Sequence, residues 1–409
     1  MNQIENPFII KGEIPEELFC DRVSERDTLT RLLLNGHNVA LSSNRRIGKT
    51  GLINFCFNQK QIQDNHYTIF CDILETSSLK EFTYIFGKRI FDTLKPKSKK
   101  MMELFIRTVR SLSGEFTIDV ATGLPKFSLS FGNITNPEYT LDEIFEYIDK
   151  ADKRCIIAID EFQQITRYPE KNIEAILRTH IQHCKNADFI FAGSERHMLA
   201  EMFNSYSRPF YASTSALGLD EIPLEIYTEF AIRLFSNYNK VLTNDVIESV
   251  YNKWLDKNDK PVKILTQYHQ YFGVKKAVYS KFSGNTFCMQ KCFNTAFSIT
   301  KENGTCTVET IDAAIDDILA ENEHSYRLRL SLLSNRNKEL LFAIAKEGVA
   351  EQITSGKFIR KHALQSSSSV QTSAKQLLSD DWITIKATSN GKQYRLTDYF
   401  LMLWIVKNY

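Results

Sequence analysis

Short apolar runs alternate with stretches of helical period through the first half of the chain, and helical period dominates the second half. The runs Asn38-Val39-Ala40-Leu41, His66 to Ile73, Arg154 to Ile159 and Asp188 to Gly193 are compact and continuous, as strands buried on both faces of a parallel sheet must be. Between them, Ser24 to Asn35 carries Leu29, Leu32 and Leu33 on one stripe and predicts a helix, as do Gly51 to Phe57 and Ser78 to Leu94. Ser24 is placed to cap the first of these, with Asp27 in the partner position of a capping box. This is an α/β pattern. Phe116 to Val120 and Lys126 to Phe131 alternate with period two about Gly123 and predict a hairpin inserted at about 114–132. Ahead of everything, Asn6-Pro7-Phe8 through Phe19-Cys20-Asp21-Arg22 reads as a Pro-punctuated extended segment.

From 221 onward, Leu224 to Tyr238, Thr243 to Leu255, Pro261 to Phe272, Thr286 to Ile299 and Val308 to Glu323 predict a helical lid over 221–334. Tyr227, Phe230, Phe235, Tyr268, Tyr271 and Phe272 fall at helical spacing, which packing explains without a ligand. The last segment, 335–409, changes character. Asn337 to Lys346, Gly356 to Ala363 and Ser369 to Leu378 read as three short helices, and Trp382 to Lys386 with Gln393 to Leu396 as a hairpin around Ser389-Asn390-Gly391. Three helices and a wing predict a winged helix. The apolar Tyr399 to Val406 is too short to span a membrane and should pack on that domain.

Composition narrows the partners more than the fold. With 409 residues, 43% hydrophobic and 24% charged, the chain is long enough for two or three domains of ordinary globular type. A formal net charge of +2 excludes a uniformly basic nucleic-acid binder. Residues 335–409 nevertheless hold 11 Lys/Arg against 6 Asp/Glu, a local +5 that suits a phosphate backbone. Lys95, Lys97, Lys99 and Lys100 around Pro96 lack interleaved aromatic residues and read as a solvated turn. The eight cysteines are scattered without a CxxC, so neither zinc nor a redox pair is indicated, and Cys288 with Cys292 reads as helix packing. No secretory signal opens the chain and no run of about 18 apolar residues occurs, so a cytoplasmic protein with reduced thiols and no membrane partner is expected.

The chemistry concentrates at strand ends. Ser43-Asn44-Arg45-Arg46-Ile47-Gly48-Lys49-Thr50, followed by Gly51, stands between the first strand and a helix, the order a phosphate-binding P-loop requires. In that pattern Lys49 reaches the β/γ-phosphates of ATP and the Thr50 hydroxyl ligates Mg²⁺. Ser43 occupies the position where the first glycine is expected, and a Cβ there is expected to make the turn harder to form. Arg154 to Ile159 then delivers Asp160 and Glu161 as a Walker B pair, Asp160 toward Mg²⁺ and Glu161 toward the attacking water. A third strand, ending at Gly193, leads into Ser194, where a γ-phosphate or water sensor would sit, and the neighbours Glu195, Arg196 and His197 read as a helix start. Two roles stand for Arg208 in the Ser-, Tyr- and Arg-rich stretch after it: an arginine finger, in cis or from a neighbouring subunit, or an exposed structural Arg.

Together NPF, FCDR, NVALSSNRRIGKTGL, IIAIDEFQQI and FIFAGSERHML resemble the archaeal-type ATPase family, in the AAA+/STAND branch of P-loop NTPases. The resemblance covers residues 1 to about 220 by motif and the rest by architecture. It implies a P-loop NTPase parallel-sheet core over 1–220, a serine tolerated at position 43, and a sensor-1 role for Ser194. It also implies an adenine site near Phe19 to Arg22. No residue of the later helices matches a sensor-2 arginine. Two function classes follow. One is a Mg²⁺-dependent ATPase switch acting on the winged helix. The other is an ATP-binding regulator without turnover, or a protein-interaction switch. Duplex DNA through 335–409, a protein partner or a second copy of the chain are the partners these readings allow. For DNA, the third short helix would present Ser367, Ser368, Gln371 and Lys375 to the groove, and Lys386 and Lys392 of the wing would meet phosphates.

Overall fold

The computed structural model describes residues 6–12, 14–95, 115–118, 125–128, 134–243, 282, 285–388 and 391–409. They form two compact units, Arg22–Asp220 and a second that joins residues up to Asp21 with Glu221–Tyr409.

The Arg22–Asp220 unit is built on five parallel strands: β1 (Val39–Ser43), β2 (His66–Asp72), β5 (Arg154–Asp160), β6 (Ala187–Gly193) and β7 (Ser215–Leu219). Their order is β2-β5-β6-β1-β7. The short pair β3 (Glu115–Ile118) and β4 (Pro125–Ser128) is antiparallel and separate from that sheet, as the expected hairpin requires; its flanks lie outside the described residues. Alternate residues of β5 feed opposite faces. Cys155, Ile157 and Ile159 join a core with Phe82, Phe86, Ile144 and Phe162, whereas Ile156 and Ala158 join one with Leu29, Leu52 and Ile53. Helices therefore cover both sides of the sheet. α1 (Val23–Leu34) and α2 (Lys49–Phe57) pack on one face; helices Leu79–Thr93, Pro137–Asp149 and Ile173–His183 pack on the other.

Several local expectations change. Ser24 does not cap α1: the helix begins at Val23, the flanking Arg22 adopts a left-handed φ of 67°, and Ser24 Oγ donates to Glu25 instead. Ser78 does cap its helix, accepting from the Glu81 amide. Pro137–Asp149, capped by Asn136, and Ile173–His183 lie outside the helices the pattern predicts, as does edge strand β7.

In the other unit, Phe8 is wholly buried against Phe230, Phe235, Phe293 and Phe297, with ring centroids 5.5 to 6.1 Å away. That aromatic nest draws the leading segment away from the expected 1–220 core. Tyr227, Phe230 and Phe235 are core residues there, as are Cys288 and Cys292. The expected helices at 243–255 and 261–272, with Tyr268, Tyr271 and Phe272, lie outside the described residues. Helix Val308–Ser331 runs past its expected end, and its last turns carry Tyr326 against Trp404 and Arg329 paired to Asp398 at 2.9 Å. Helices Asn335–Glu347, Gly356–Lys361 and Ser367–Ser379 then lead into an antiparallel wing, β9 (Ile383–Thr388) with β10 (Gly391–Leu396), extended by the two-residue β8 (Ala350–Glu351). The final helix, Tyr399–Asn408, buries Phe400 to Ile405 in the same core. No helix among the described residues is long and apolar enough to cross a membrane.

Because Phe8 fills a closed aromatic site, Phe8→Ala should destabilise the unit that contains it by about 3–5 kcal/mol. Urea unfolding followed by fluorescence measures this; an unchanged midpoint would contradict the packing described.

Candidate active site

In an open parallel sheet the ligand crevice lies beyond the carboxyl ends of the strands. β6 lies between β1 and β5, so three chain segments leave the sheet side by side: the loop after Ser43, the acidic pair after Ile159 and Ser194 after Gly193. The register sets them level, with Ser42 opposite Gly193 and Asp72 opposite Asp160.

The loop itself solves the missing-glycine problem differently from expectation. Ser43 remains in β1 and needs no left-handed backbone; Arg46 (φ 65°) and Gly48 (φ 93°) make the turn. Gly48 is used for its conformation rather than for space, since a Cβ there would meet nothing within 4 Å. Asn44, Arg45 and Arg46 are exposed, Ile47 is buried as an anchor, and α2 begins at Lys49 with Thr50 and Gly51 in its first turn. A helix that starts directly after such a loop offers the amides of its first turn to an anion.

Lys49 joins the two acids. Its Nζ lies 2.7 Å from Asp160 Oδ1 and 3.1 Å from Glu161 Oε1, and all three side chains are mostly buried. Thr50 Oγ1 donates to Asp160 Oδ2 at 3.1 Å. Glu161 takes a left-handed φ of 56°, a non-glycine outlier at the heart of the site. Its Oε2 accepts from Ser194 Oγ at 2.7 Å and from Gln163 Nε2 at 2.5 Å. Burial works to raise the Glu161 pKa, but the Lys49 ammonium and the donors Ser194 and Gln163 outweigh it and hold the carboxyl below its ordinary range. Arg45 Nε donates to Ser194 Oγ at 3.3 Å, tying the loop to the end of β6.

Asp72, which belongs to neither motif, is a third carboxylate at the same strand ends. Burial foremost, and then the charges of Asp160 and Glu161, raise its pKa despite a hydrogen bond from the Leu74 amide. The sequence does carry a signal for it: like Asp160, it is the acid that closes an apolar strand run. Gln163 carries no such signal, because its role depends on a contact across the sheet end.

Other expected site residues are held elsewhere. Arg208 pairs with Glu174 at 2.9 Å and Glu201 at 3.0 Å, so use as an arginine finger would require both pairs to open. Arg22 is buried, and its guanidinium donates to Glu25 at 2.7 Å, to Asp220 O at 2.6 Å and to Ile47 O at 3.4 Å. It thereby braces the loop from behind. Phe19 belongs to the unit that holds residues 221–409. Glu195 pairs with Arg167, and Arg196 begins helix Arg196–Asn204 while bonding Asp220, in keeping with a helix start.

The donor set suits Mg²⁺. Thr50 hydroxyl and Asp160 carboxylate are hard oxygens in direct contact, and Mg²⁺ in nucleotide sites uses one or two such groups beside phosphate oxygens.

The fold is shared with solved structures of low sequence identity. A Walker-type ATPase of Pyrococcus abyssi superposes with a TM-score of 0.59 at 16% identity, over 98% of this chain and 99% of that one. The ORC2 protein of Aeropyrum pernix, in its ADPNP-ADP complexes, superposes with a TM-score of 0.54 at 14% identity, over 98% and 96%. No curated protein matches the chain. Residues 324–407 match the family described as "Probable winged helix domain", which starts inside the long helix Val308–Ser331 rather than at 335. Residues 19–260 match the family described as "ATPase domain predominantly from Archaea". That match spans more than half of the sequence and contains the loop, the acidic pair and Ser194, and the chain belongs to this family of ATPase domains.

Proposed function

We propose that the protein is a Mg²⁺-dependent ATP-hydrolysing switch whose nucleotide state controls its C-terminal winged helix. The observation that carries this reading is the convergence of Lys49, Thr50, Asp160, Glu161 and Ser194 within direct bonding distance of one another. In this reading the loop amides and Lys49 bind the phosphates of ATP or ADP. Thr50 and Asp160 hold Mg²⁺, which when bound neutralises charge on the phosphate oxygens. Glu161 orients the attacking water, and Ser194 reports on the γ-phosphate. Phosphate binding draws the Lys49 ammonium off the acids, and the freed Glu161 Oε1 becomes available to water. Arg208 serves as the finger only in a state where Glu174 and Glu201 have released it.

The winged helix supports duplex DNA as the partner. Ser367, Ser368, Gln371 and Lys375 are all exposed, while Val370, Ser373, Ala374 and Leu377 of the same helix are buried, and Lys386 and Lys392 are exposed on the wing. Small polar side chains fit base edges and lysines neutralise phosphates.

Lys49→Ala should bind ATP roughly ten- to hundredfold more weakly, the worth of one lost bond to a charged group. It should also lower stability, in a pH-dependent way. Lys49 helps to hold the Glu161 pKa low, so its contribution is present at neutral pH and is lost as pH falls through the folded-state value. The stability gap between wild type and variant should therefore close in acid. Calorimetric titration and urea unfolding at several pH values read both effects; unchanged ATP affinity would remove the P-loop assignment.

Glu161→Gln should retain ATP but lose roughly 10²- to 10⁴-fold in kcat. Steady phosphate release at the wild-type rate would overturn the catalytic role, and tight binding without turnover in the wild type would favour the regulator reading.

On DNA, replacing Lys386 and Lys392 together should weaken binding across all sequences and flatten the log-log salt dependence by about one unit for each phosphate no longer neutralised. Fluorescence anisotropy at two salt concentrations measures it. No binding by the intact protein, with or without ATP, would make the basic segment an interface for an acidic protein.

A further inference from the structure

Gln163 is among the most buried polar residues of the ATPase unit, 2% exposed, and it lies two residues beyond Glu161 on the 3-10 turn Phe162–Arg167. Its amide is orientated by its neighbour. Gln163 Nε2 donates to Glu161 Oε2 at 2.5 Å, and a carboxylate oxygen accepts from that end of the amide. The other end of the amide gains nothing from this placement: Gln163 Oε1 is buried with no hydrogen-bond partner among the described residues. A buried orphan acceptor is unfavourable, so the bond to Glu161 is what the side chain is placed for.

The space for it comes from β6. A Cβ built on Gly193 would stand 2.3 Å from Gln163 Oε1 and 3.1 Å from Leu199 Cδ1. Any other residue at 193 would push the amide from its seat. Gly193 needs no left-handed backbone, so close approach explains the glycine where conformation does not.

We propose that Gln163, seated by Gly193, is a positioning residue that fixes Glu161 Oε2 together with Ser194, so that Oε1 is the atom that meets the attacking water. The two oxygens are held differently. Lys49 holds Oε1, and its ammonium is the group that leaves for phosphate; Oε2 is held by Gln163 and Ser194, neither of which has to move. Once Lys49 departs, Oε1 swings free of its bond while Oε2 remains a pivot. The water oxygen then bonds to the γ-phosphorus, one water proton passes to Oε1, and the bond from the γ-phosphorus to the bridging oxygen breaks to leave ADP and phosphate. This inference rests on the proposed hydrolytic role of Glu161.

The test compares Gln163→Met, which keeps an unbranched side chain without a donor, with Gln163→Asn, which withdraws the donor by one methylene. Both should keep ATP affinity and the wild-type KM while kcat falls roughly ten- to hundredfold, the effect of a misplaced reacting group. Gly193→Ala should do the same by a different route, and combined with Gln163→Met it should add nothing. Wild-type kcat in both Gln163 variants, a loss carried in KM rather than kcat, or multiplicative losses in the double variant, would overturn the proposal. Glu161→Gln runs alongside: if it hydrolyses ATP normally the hydrolytic reading itself fails, whereas if it is inactive and the Gln163 variants are normal only the positioning role fails.

Discussion

The ammonium of Lys49 between Asp160 and Glu161 is the constraint on which the ATPase unit turns. Two adjacent carboxylates at a buried strand end repel one another and lose hydration, and neither is tolerable there as an anion without a counter-charge. Lys49 supplies it at 2.7 and 3.1 Å. In the proposed reading the same three groups would serve an anionic, metal-bearing nucleotide, the ammonium passing from the acids to the phosphates. In the reading proposed above, a phosphate has to compete with these two acids for the ammonium.

Sheet order makes that unit possible. With β6 between β1 and β5, the loop, Ser194 and the acids emerge as neighbours, and Asp72 joins them from β2. Two positive φ values, at Arg46 and Glu161, turn the chain sharply at the ends of β1 and β5. Arg22 ties the loop to the end of its own unit through Ile47 O and Asp220 O. Arg208 likewise compensates the buried Glu174, whose pKa burial raises and the guanidinium partly restores.

Much of this was legible in the sequence where one physical cause acted alone. β5 and β6 are buried throughout or nearly so, and their continuous apolar runs announced them. That Lys49, Thr50, Asp160, Glu161 and Ser194 meet at the strand ends followed from motif and strand end together. What escaped depends on two parts of the chain at once. β7 is an edge strand, half exposed and containing Gly218, and its apolar signal is correspondingly faint. Ser24 has a capping residue's chemistry, but the bonds of Arg22 to Ile47 and Asp220 hold the helix start one residue earlier. Phe8 looked like part of a core beginning at residue 1, yet its four ring partners lie beyond residue 229. Gln163 acquires meaning only when Gly193, thirty residues on, leaves room for it.

The central claim, that nucleotide works by taking Lys49 away from its acids, is tested most directly by a crystal structure with Mg²⁺ and a non-hydrolysable ATP analogue. The account predicts Lys49 Nζ within hydrogen-bond distance of a phosphate oxygen and Glu161 Oε1 released from it, with Oε2 still on Ser194 and Gln163. A nucleotide-bound structure in which Lys49 still bridges Asp160 and Glu161, and touches no phosphate, would contradict it.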